Sequence, residues 1–425
     1  MKRNGLRMFR MAIAGLMTSA MALGYGTFGV AHAAGSSGTG VAAKTGKLNI
    51  GFVDALTGTG AVYGLPQFEA VTLAVEQVNA AGGVLVGDTR YTLKLTHYDN
   101  RSDATESVSA VRKLLDLDDG NFILGFASPP ATMPVAQPFG REKGILLVGN
   151  AAGQAITTAG AKNVFRARAP NSYVGAPLGK WLYKQGAKSI AVIGDLTNAG
   201  FSDEYLLLKE AYTALGGKIV AEETFQSADR DMYTQLTKIK GQTFDALFAI
   251  GNVEQVAFVY RQANELGYKG KVYSVSAGTA AQFLKVATPE QMKNGTEIYL
   301  VAFDPNILGP KGKQFAADFE KRFKHAPDAT TANSYDMFWV LMEGLKRAGT
   351  TDWRKVADAI REIGIPEQAL LPYSLLNGKL FDSNGQGFAP IGSFDWKDGN
   401  WVFREFLPGD PEGFSKFLSQ QVKKK

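Results

Sequence analysis

Two short apolar stretches decide the fold: KLNIGFVD at residues 47–54 and SIAVIGD at residues 189–195. Each is followed by a helical pattern of apolar residues, and each helix is closed by a Gly-Gly pair, at positions 82–83 and 216–217. A new strand-like segment begins after each pair, as in a parallel βαβ unit. Because the series occurs twice, about one domain length apart, we predict an α/β protein with two doubly wound parallel-sheet lobes.

The alternation continues along most of the chain. We expect strands at 48–53, 91–97, 122–125, 145–148, 189–194, 218–222, 244–250 and 271–275. We expect helices at 66–81, 103–115, 202–215, 231–240, 253–266, 310–324, 331–347 and 352–363. The C-terminal part differs, because 378–382, 389–396 and 400–406 read as strands, the last two joined by a turn at 397–400.

The first 33 residues have the pattern of a secretory signal peptide. Basic residues precede an uncharged apolar run from Met11 to Leu23, and Ala31-His32-Ala33 supplies the small-x-small cleavage pattern. An uncleaved membrane anchor fits less well, since the segment beyond Leu23 is rich in Gly and Thr. We therefore expect cleavage near Ala33, followed by a flexible leader over residues 34–46.

Composition excludes several classes of function. The chain has 425 residues, of which 45% are hydrophobic and 20% charged, as in soluble globular proteins. It has no cysteine and three histidines, so thiolate chemistry and cysteine-ligated metals are excluded, and no metal site or cofactor is expected. The net charge of +6 comes mostly from the signal segment, which leaves no basic surface for nucleic acid.

Four segments carry a family likeness: KLNIGFVDALTGTGAVYG with LAVEQVNAAGGV, VFRARAPNSYVGAPLGKWLYKQGAKSIAVIGD, ALGGKIVAEETF, and NSYDMFWVLMEGLKRAG. In this order they resemble the leucine/isoleucine/valine-binding proteins, the type I periplasmic substrate-binding proteins of ABC importers. The resemblance implies two lobes joined by three crossover strands, near 163–169, 298–304 and 378–382. One lobe would comprise 47–166 plus 305–376 and the other 167–303 plus 381–406, with 407–425 as a C-terminal tail.

The ligand of a doubly wound sheet binds beyond the carboxyl ends of its strands. In the first lobe this rule selects the loop with Tyr63, a second loop with Ser128 and Thr132, and a third at residues 149–153. Hydroxyls of the second loop, and backbone N–H groups of Ala151 and Gly153 beside Asn150, are candidates to hold a carboxylate. Each hydroxyl has the alternative role of capping a helix.

The resemblance implies that second-lobe tyrosines and a glutamate hold the ammonium group of an amino acid. Those positions are Ala199 and Asn252 for the tyrosines, and Ser276 or Ala277 for the glutamate. A buried ammonium without a carboxylate is costly, so the cleft is expected to disfavour zwitterionic amino acids. Asp195 and Glu254 are the residues that could compensate.

The implied function is that of a periplasmic receptor, monomeric and not an enzyme, which closes on a small organic ligand and delivers it to a membrane permease. The ligand would be amino-acid-like or an organic or aromatic carboxylate. A branched-chain or other amino acid is the alternative within the family. Of other classes, a ligand-presenting sensor stays open, while a secreted hydrolase would need a triad that two mature histidines and the absence of G-x-S-x-G do not support.

Overall fold

The computed structural model describes residues 43–422 except Thr59, Ala159 and Ala277, and the side chains of Thr158, Ala199 and residues 418–422 are left aside. The predicted signal peptide and most of the predicted leader lie outside the described residues. The leader ends earlier than predicted, because the first strand already begins at Lys44.

The described residues contain two sheets. The strands are β1 (Lys44–Asp54), β2 (Val84–Val86), β3 (Thr89–Asp99), β4 (Phe122–Gly125), β5 (Ile145–Val148), β6 (Val164–Arg166), β7 (Ser189–Gly194), β8 (Lys218–Thr224), β9 (Ala246–Ile250), β10 (Lys271–Val275), β11 (Gly295–Leu300), β12 (Ile391–Lys397) and β13 (Asn400–Leu407). The first sheet has the order β2-β3-β1-β4-β5-β6, and the second has the order β13-β12-β11-β10-β9-β7-β8. Both are parallel except at one edge, where β2 pairs antiparallel with β3, and β12 pairs antiparallel with β11 and β13.

Helices connect and cover these strands. They are α1 (Ala61–Ala80), α2 (Ala104–Leu117), α3 (Pro129–Ala136), α4 (Ala155–Thr158), α5 (Gly175–Lys184), α6 (Ala199–Ala214), α7 (Tyr233–Lys240), α8 (Val253–Glu265), α9 (Ala280–Phe283), α10 (Pro289–Met292), α11 (Gly309–Phe323), α12 (Ala329–Ala348), α13 (Trp353–Arg361) and α14 (Pro411–Val422). Short 3-10 helices lie at Phe139–Arg141 and Asn171–Val174. Within the described range, no helix is both long and apolar enough to cross a membrane.

Each sheet has an apolar core on both faces, as predicted for doubly wound sheets. On the first sheet, one core joins β1 and β4 to α1 and α12 and the other joins them to α2 and α3. On the second sheet, one core joins β7 and β9 to α5 and α6 and the other joins them to α7 and α8. Burial on both faces explains why the second half of β1 and nearly all of β7 are rich in apolar residues.

The chain passes three times between the two sheets. It leaves the first sheet after β6, returns after β11 to α11–α13, whose apolar residues join the core of the first sheet, and leaves again before β12. Two of these connections lie side by side, since Gly387 N–H donates to Arg166 O at 2.7 Å and Ala389 N–H donates to Ala167 O at 3.2 Å. The α/β class with two parallel-dominated lobes is therefore confirmed, while the lobe boundaries given above stay a prediction.

Three local predictions were wrong. The segment 378–382 forms isolated bridges, Leu376 with Lys379 and Phe381 with Gly387, instead of a strand. Helix α1 begins at Ala61 and contains Pro66, where proline was expected to begin the helix. Strand β2 was missed because it is only three residues long. In addition, the predicted C-terminal tail contains α14, whose Phe414 is buried in the core of the second sheet.

Candidate functional site

The sheet order places a switch point in each sheet. In the first, β1 lies between β3 and β4, so the connections from β1 and β4 leave toward opposite faces. In the second, β7 has the same position between β8 and β9. A crevice opens beyond the carboxyl ends of strands at such a point, which is where ligands of doubly wound sheets bind.

Asp54 ends β1 at the first switch point and is almost fully buried. Its Oδ1 accepts the backbone N–H of Ala55 at 2.9 Å and that of Ala127 at 3.3 Å, and its Oδ2 accepts Gln67 Nε2 at 3.0 Å. Burial disfavours the charged carboxylate and outweighs these hydrogen bonds, which raises the pKa of Asp54 to about 7. Asp54 thus fixes the β4–α3 loop to the end of β1.

The same network reaches Asn150, one of the predicted site residues. Gln67 Oε1 accepts the Ser334 hydroxyl at 2.8 Å, and Asn150 Nδ2 donates to Ser334 Oγ at 3.2 Å and to Thr330 O at 3.0 Å. The Asn150 side-chain amide therefore bonds to α12. Its role is to hold the loop after β5, and the sequence alone did not show this.

The structure separates the two predicted hydroxyls of the β4–α3 loop. Ser128 is the N-cap of α3 but makes no side-chain cap bond, and its half-buried hydroxyl has no partner among the described residues. Thr132 is fully buried one turn further, where its hydroxyl donates to Ser128 O at 2.7 Å. The Ser128 hydroxyl thus has no hydrogen bond among the described residues, whereas the Thr132 hydroxyl holds the loop. Tyr63, in the first turn of α1, is 59% exposed.

In the loop after β5, the two predicted N–H donors also differ. Ala151 N–H donates to Phe126 O at 3.0 Å, so the expectation that it is free for a carboxylate was wrong: the backbone turn already uses it. Gly153 N–H has no acceptor in the described part of the chain. The carbonyls of both residues accept Arg166 Nη1, at 3.0 Å for Ala151 and 2.5 Å for Gly153.

At the second switch point, Asp195 follows β7 and is 2% exposed. It accepts the hydroxyls of Thr197, at 3.2 Å, and of Ser227. Asn252, the N-cap of α8, donates from Nδ2 to Ser227 Oγ at 3.3 Å. Ala199 is the first residue of α6. The β7–α6 loop, the β8–α7 loop and α8 are therefore tied together by hydroxyl and amide bonds.

The loop after β10 contains Ser276, and the predicted Ala277 lies outside the described residues. Ser276 donates to Glu297 Oε1 through both its N–H and its hydroxyl, each at 2.7 Å, while Ser274 Oγ donates to the other oxygen. Glu297 thus brings a fully buried carboxylate from β11 to this loop. By contrast, Glu254 forms a surface ion pair with Arg230 at 3.3 Å.

Sequence reasoning missed two charged residues where the sheets meet. Arg168 follows β6 by two residues and is only partly buried. Glu204, in the second turn of α6, is 1% exposed, and its Oε1 has no hydrogen-bond partner in the region described. Burial first and Glu297 second raise the pKa of Glu204 well above its usual range, while Arg168 opposes this shift. Arg168 and Glu204 therefore lie within electrostatic range, so the segment that follows β6 is near α6.

No cluster of side chains that could hold a metal ion is found among the described residues. Two doubly wound sheets joined by adjacent connections are the architecture of two-lobed binding proteins. The chain belongs to the periplasmic binding protein family, whose family model matches residues 47–400.

Curated relatives and solved structures agree with this assignment. The chain is similar to the Leu/Ile/Val-binding protein homolog 1 of Brucella suis, with 27% identity over 81% of this chain and 89% of the relative. It is also similar to the leucine-, isoleucine-, valine-, threonine- and alanine-binding protein of Pseudomonas aeruginosa, with 25% identity over 77% of this chain and 85% of the relative.

Two solved structures share the fold. One is the branched-chain amino acid transporter substrate-binding protein LivJ from Streptococcus pneumoniae in complex with isoleucine, with a TM-score of 0.65, 22% identity, and coverage of 84% of this chain and 99% of that chain. The other is a solute-binding protein of an ABC transporter from R. palustris in complex with 4-hydroxybenzoate, with a TM-score of 0.65, 19% identity, and coverage of 88% and 100%. The predicted type I periplasmic binding protein fold is confirmed.

Proposed function

We propose that this chain is the periplasmic solute receptor of an ABC importer, which binds a small organic molecule in the crevice between its sheets and presents it to a membrane permease. The observation that carries the proposal is the set of uncommitted groups at the carboxyl ends of the strands: the Ser128 hydroxyl, the Gly153 N–H and the exposed Tyr63 ring. Family membership supports the receptor role.

The ligand we favour is a carboxylate without an ammonium group. The two acids that could compensate for the missing glutamate are engaged elsewhere: Asp195 accepts two hydroxyls and Glu254 pairs with Arg230. An ammonium would therefore enter the crevice without an exposed partner, at a cost of several kcal/mol. A solved structural neighbour that binds 4-hydroxybenzoate supports an aromatic acid, and one that binds isoleucine supports the alternative, a branched-chain amino acid.

The receptor would act without catalysis. His97 packs against the Phe68 ring with centroids 4.5 Å apart, and the exposed His325 contacts Glu69 at 2.9 Å, so neither lies beside a nucleophile of the crevice. Export through the predicted signal peptide would place the mature chain in the periplasm. A receptor that closes by hinge motion needs no second copy, so we propose a monomer that meets its permease transiently.

A thermal-shift screen followed by calorimetry tests the proposal. The panel contains L-leucine, L-isoleucine, benzoate and 4-hydroxybenzoate, and a bound solute raises the unfolding temperature by mass action. We expect at least one carboxylate without an ammonium group to bind, and the radius of gyration from small-angle scattering to fall as the sheets close on it. Micromolar binding of leucine with no binding of either benzoate would support the alternative ligand. Solute turnover would refute the receptor role.

A further inference from the structure

We propose that Arg168 binds the carboxylate of the solute, and that Asn171 holds its guanidinium in place. This inference rests on the proposed solute-binding function and adds a residue of the first connection to it. Neither the choice of loops from the sheet order nor the family resemblance assigned Arg168 a role in ligand binding.

The position of Arg168 is fixed by the backbone. Its own carbonyl accepts Gln386 Nε2 at 3.3 Å, so the residue is anchored where the first and third connections run side by side. It follows β6 by two residues, beyond the carboxyl end of the first sheet, and the 3-10 helix at Asn171–Val174 begins three residues later. Arg168 therefore lies at the base of the crevice, between the two sheets.

Hydrogen bonds to neutral acceptors orient the Arg168 guanidinium. Nη2 donates to Asn171 Oδ1 at 2.8 Å and Nη1 reaches Ala169 O at 3.4 Å, which leaves most of its five N–H donors unused. Arg168 forms no ion pair with a described acid, although Glu204 lies within electrostatic range of it. The residue as a whole is partly exposed, while burial of the guanidinium lowers the pKa of Arg168 to about 10. A ligand carboxylate would stabilise the charge of such a poorly solvated guanidinium. A planar fork with free donors matches a carboxylate, which can accept two parallel bonds.

Two buried polar groups near Arg168 have no hydrogen-bond partner among the described residues. Ser172, next to Asn171, is 4% exposed, and its hydroxyl has no partner in the described chain. Glu204 is equally buried with one oxygen unpartnered, and burial raises its pKa well above the usual range because it disfavours the charged form, while Arg168 opposes this shift. A buried group with no partner is costly, so an anion that accepts from this cluster would relieve part of that cost.

Neighbouring Arg166 strengthens the positive potential. It is fully buried, and all its hydrogen bonds go to neutral acceptors: the carbonyls of Ala151 and Gly153 and the side chain of Gln386. Neither guanidinium forms an ion pair among the described residues, although Asp382 lies within electrostatic range of Arg166 and Glu204 within that of Arg168. Two guanidiniums side by side favour an anionic ligand over a cationic one.

The test compares matched acids and amides on three proteins. Benzoate and benzamide, 4-hydroxybenzoate and its amide, and L-isoleucine and its amide are titrated calorimetrically into the mature protein, into Arg168→Gln and into Arg168→Lys. The control is Arg354→Gln, which removes a charge from α13, outside the crevice. We expect the wild type and the control to bind one acid about 100-fold more tightly than its amide, and Arg168→Gln to lose that discrimination. Arg168→Lys should keep part of it, because the charge remains and the fork is lost.

A second variant separates binding from folding. Asn171→Ala should leave the unfolding temperature of the empty protein nearly unchanged and weaken the acid about 3- to 10-fold, with no effect on its amide. An unchanged acid-to-amide ratio in Arg168→Gln would overturn the inference. Binding of amides or other neutral solutes alone would also overturn it, while leaving the receptor role standing. A wild type that binds no compound of the panel counts against both.

Discussion

Arg166 donates to the side-chain oxygen of Gln386 from two atoms, Nε at 2.9 Å and Nη2 at 2.5 Å. The third nitrogen, Nη1, donates to the backbone carbonyls of Ala151 and Gly153 in the loop after β5. Gln386 Nε2 in turn donates hydrogen bonds to Arg166 O and Gly387 O. One buried pair thus links a candidate ligand loop to both adjacent connections.

The first prediction concerns Gln386→Ala. The change leaves two Arg166 donors and the Thr157 hydroxyl buried without their acceptor, and we expect the free energy of unfolding to fall by about 2–5 kcal/mol. Thr157→Val is the matched control, since it removes a single bond of 3.0 Å and should cost about 1 kcal/mol. Urea unfolding monitored by circular dichroism measures both. Equal losses in the two variants would show that the Arg166 contact does not stabilise the connection.

The second prediction concerns pH. Burial raises the pKa of Asp54 and of Asp336 to about 7 from an ordinary value of 3.8. The folded protein therefore binds more protons than the unfolded chain between about pH 4 and pH 7, so stability is greatest below this window and falls as the pH rises through it. Each group steepens the fall by up to about 1.4 kcal/mol per pH unit.

Asp54→Asn should therefore flatten the dependence of stability on pH, and Asp336→Asn should flatten it similarly. Each variant loses an acceptor oxygen and is expected to be less stable than the wild type at pH 5, with the difference shrinking by pH 8. Urea midpoints at four pH values between 5 and 8 provide the measurement. Curves parallel to that of the wild type would mean that both carboxylates stay ionised when folded.

The apolar pattern was sufficient to predict most of the fold. The second half of β1 and nearly all of β7 are buried on both faces, and this burial is visible in the sequence as short runs rich in apolar residues. The segment 378–382 also contains adjacent apolar residues, yet it forms only isolated bridges, because its neighbours are connecting segments rather than a sheet edge. Local pattern does not show which neighbour a strand will find.

The site was predicted only in part, for a related reason. Loops beyond the carboxyl ends follow from the sheet order, so the positions of Ser128 and Gly153 could be inferred. Whether an N–H or a hydroxyl is free depends on contacts distant in sequence, and Ala151 and Thr132 turned out to be engaged. The sequence did not indicate that the Glu204 carboxyl is buried, because a glutamate in a helix is usually solvated.

The third prediction separates the two hydroxyls of the β4–α3 loop. Ser128→Ala removes a hydroxyl that has no partner among the described residues, so stability should change by less than about 0.5 kcal/mol while solute affinity falls about 5- to 15-fold. Thr132→Val should do the reverse, because its buried hydroxyl bonds to Ser128 O. We expect it to lower stability by about 1 kcal/mol and to change affinity little. Calorimetry and urea unfolding on both variants decide the assignment. A loss of affinity in Thr132→Val alone would move the ligand contact one turn along α3.

The fourth prediction concerns the approach of α1 to β1. A Cβ on Gly64 would lie 2.1 Å from the carbonyl oxygen of Ala55, a backbone atom that cannot move aside alone. Gly64→Ala should therefore displace the first turn of α1, lower stability by about 1–3 kcal/mol and weaken solute binding through the shifted Tyr63. Gly241→Ala is the control: its nearest neighbour, Lys238 O, lies 3.4 Å away, so stability should change by less than about 0.5 kcal/mol. Because Gly241 follows α7, outside the crevice, its substitution should leave affinity unchanged. If Gly64→Ala lost stability but kept full affinity, the first turn of α1 would not form part of the ligand site, and Tyr63 would be excluded from it.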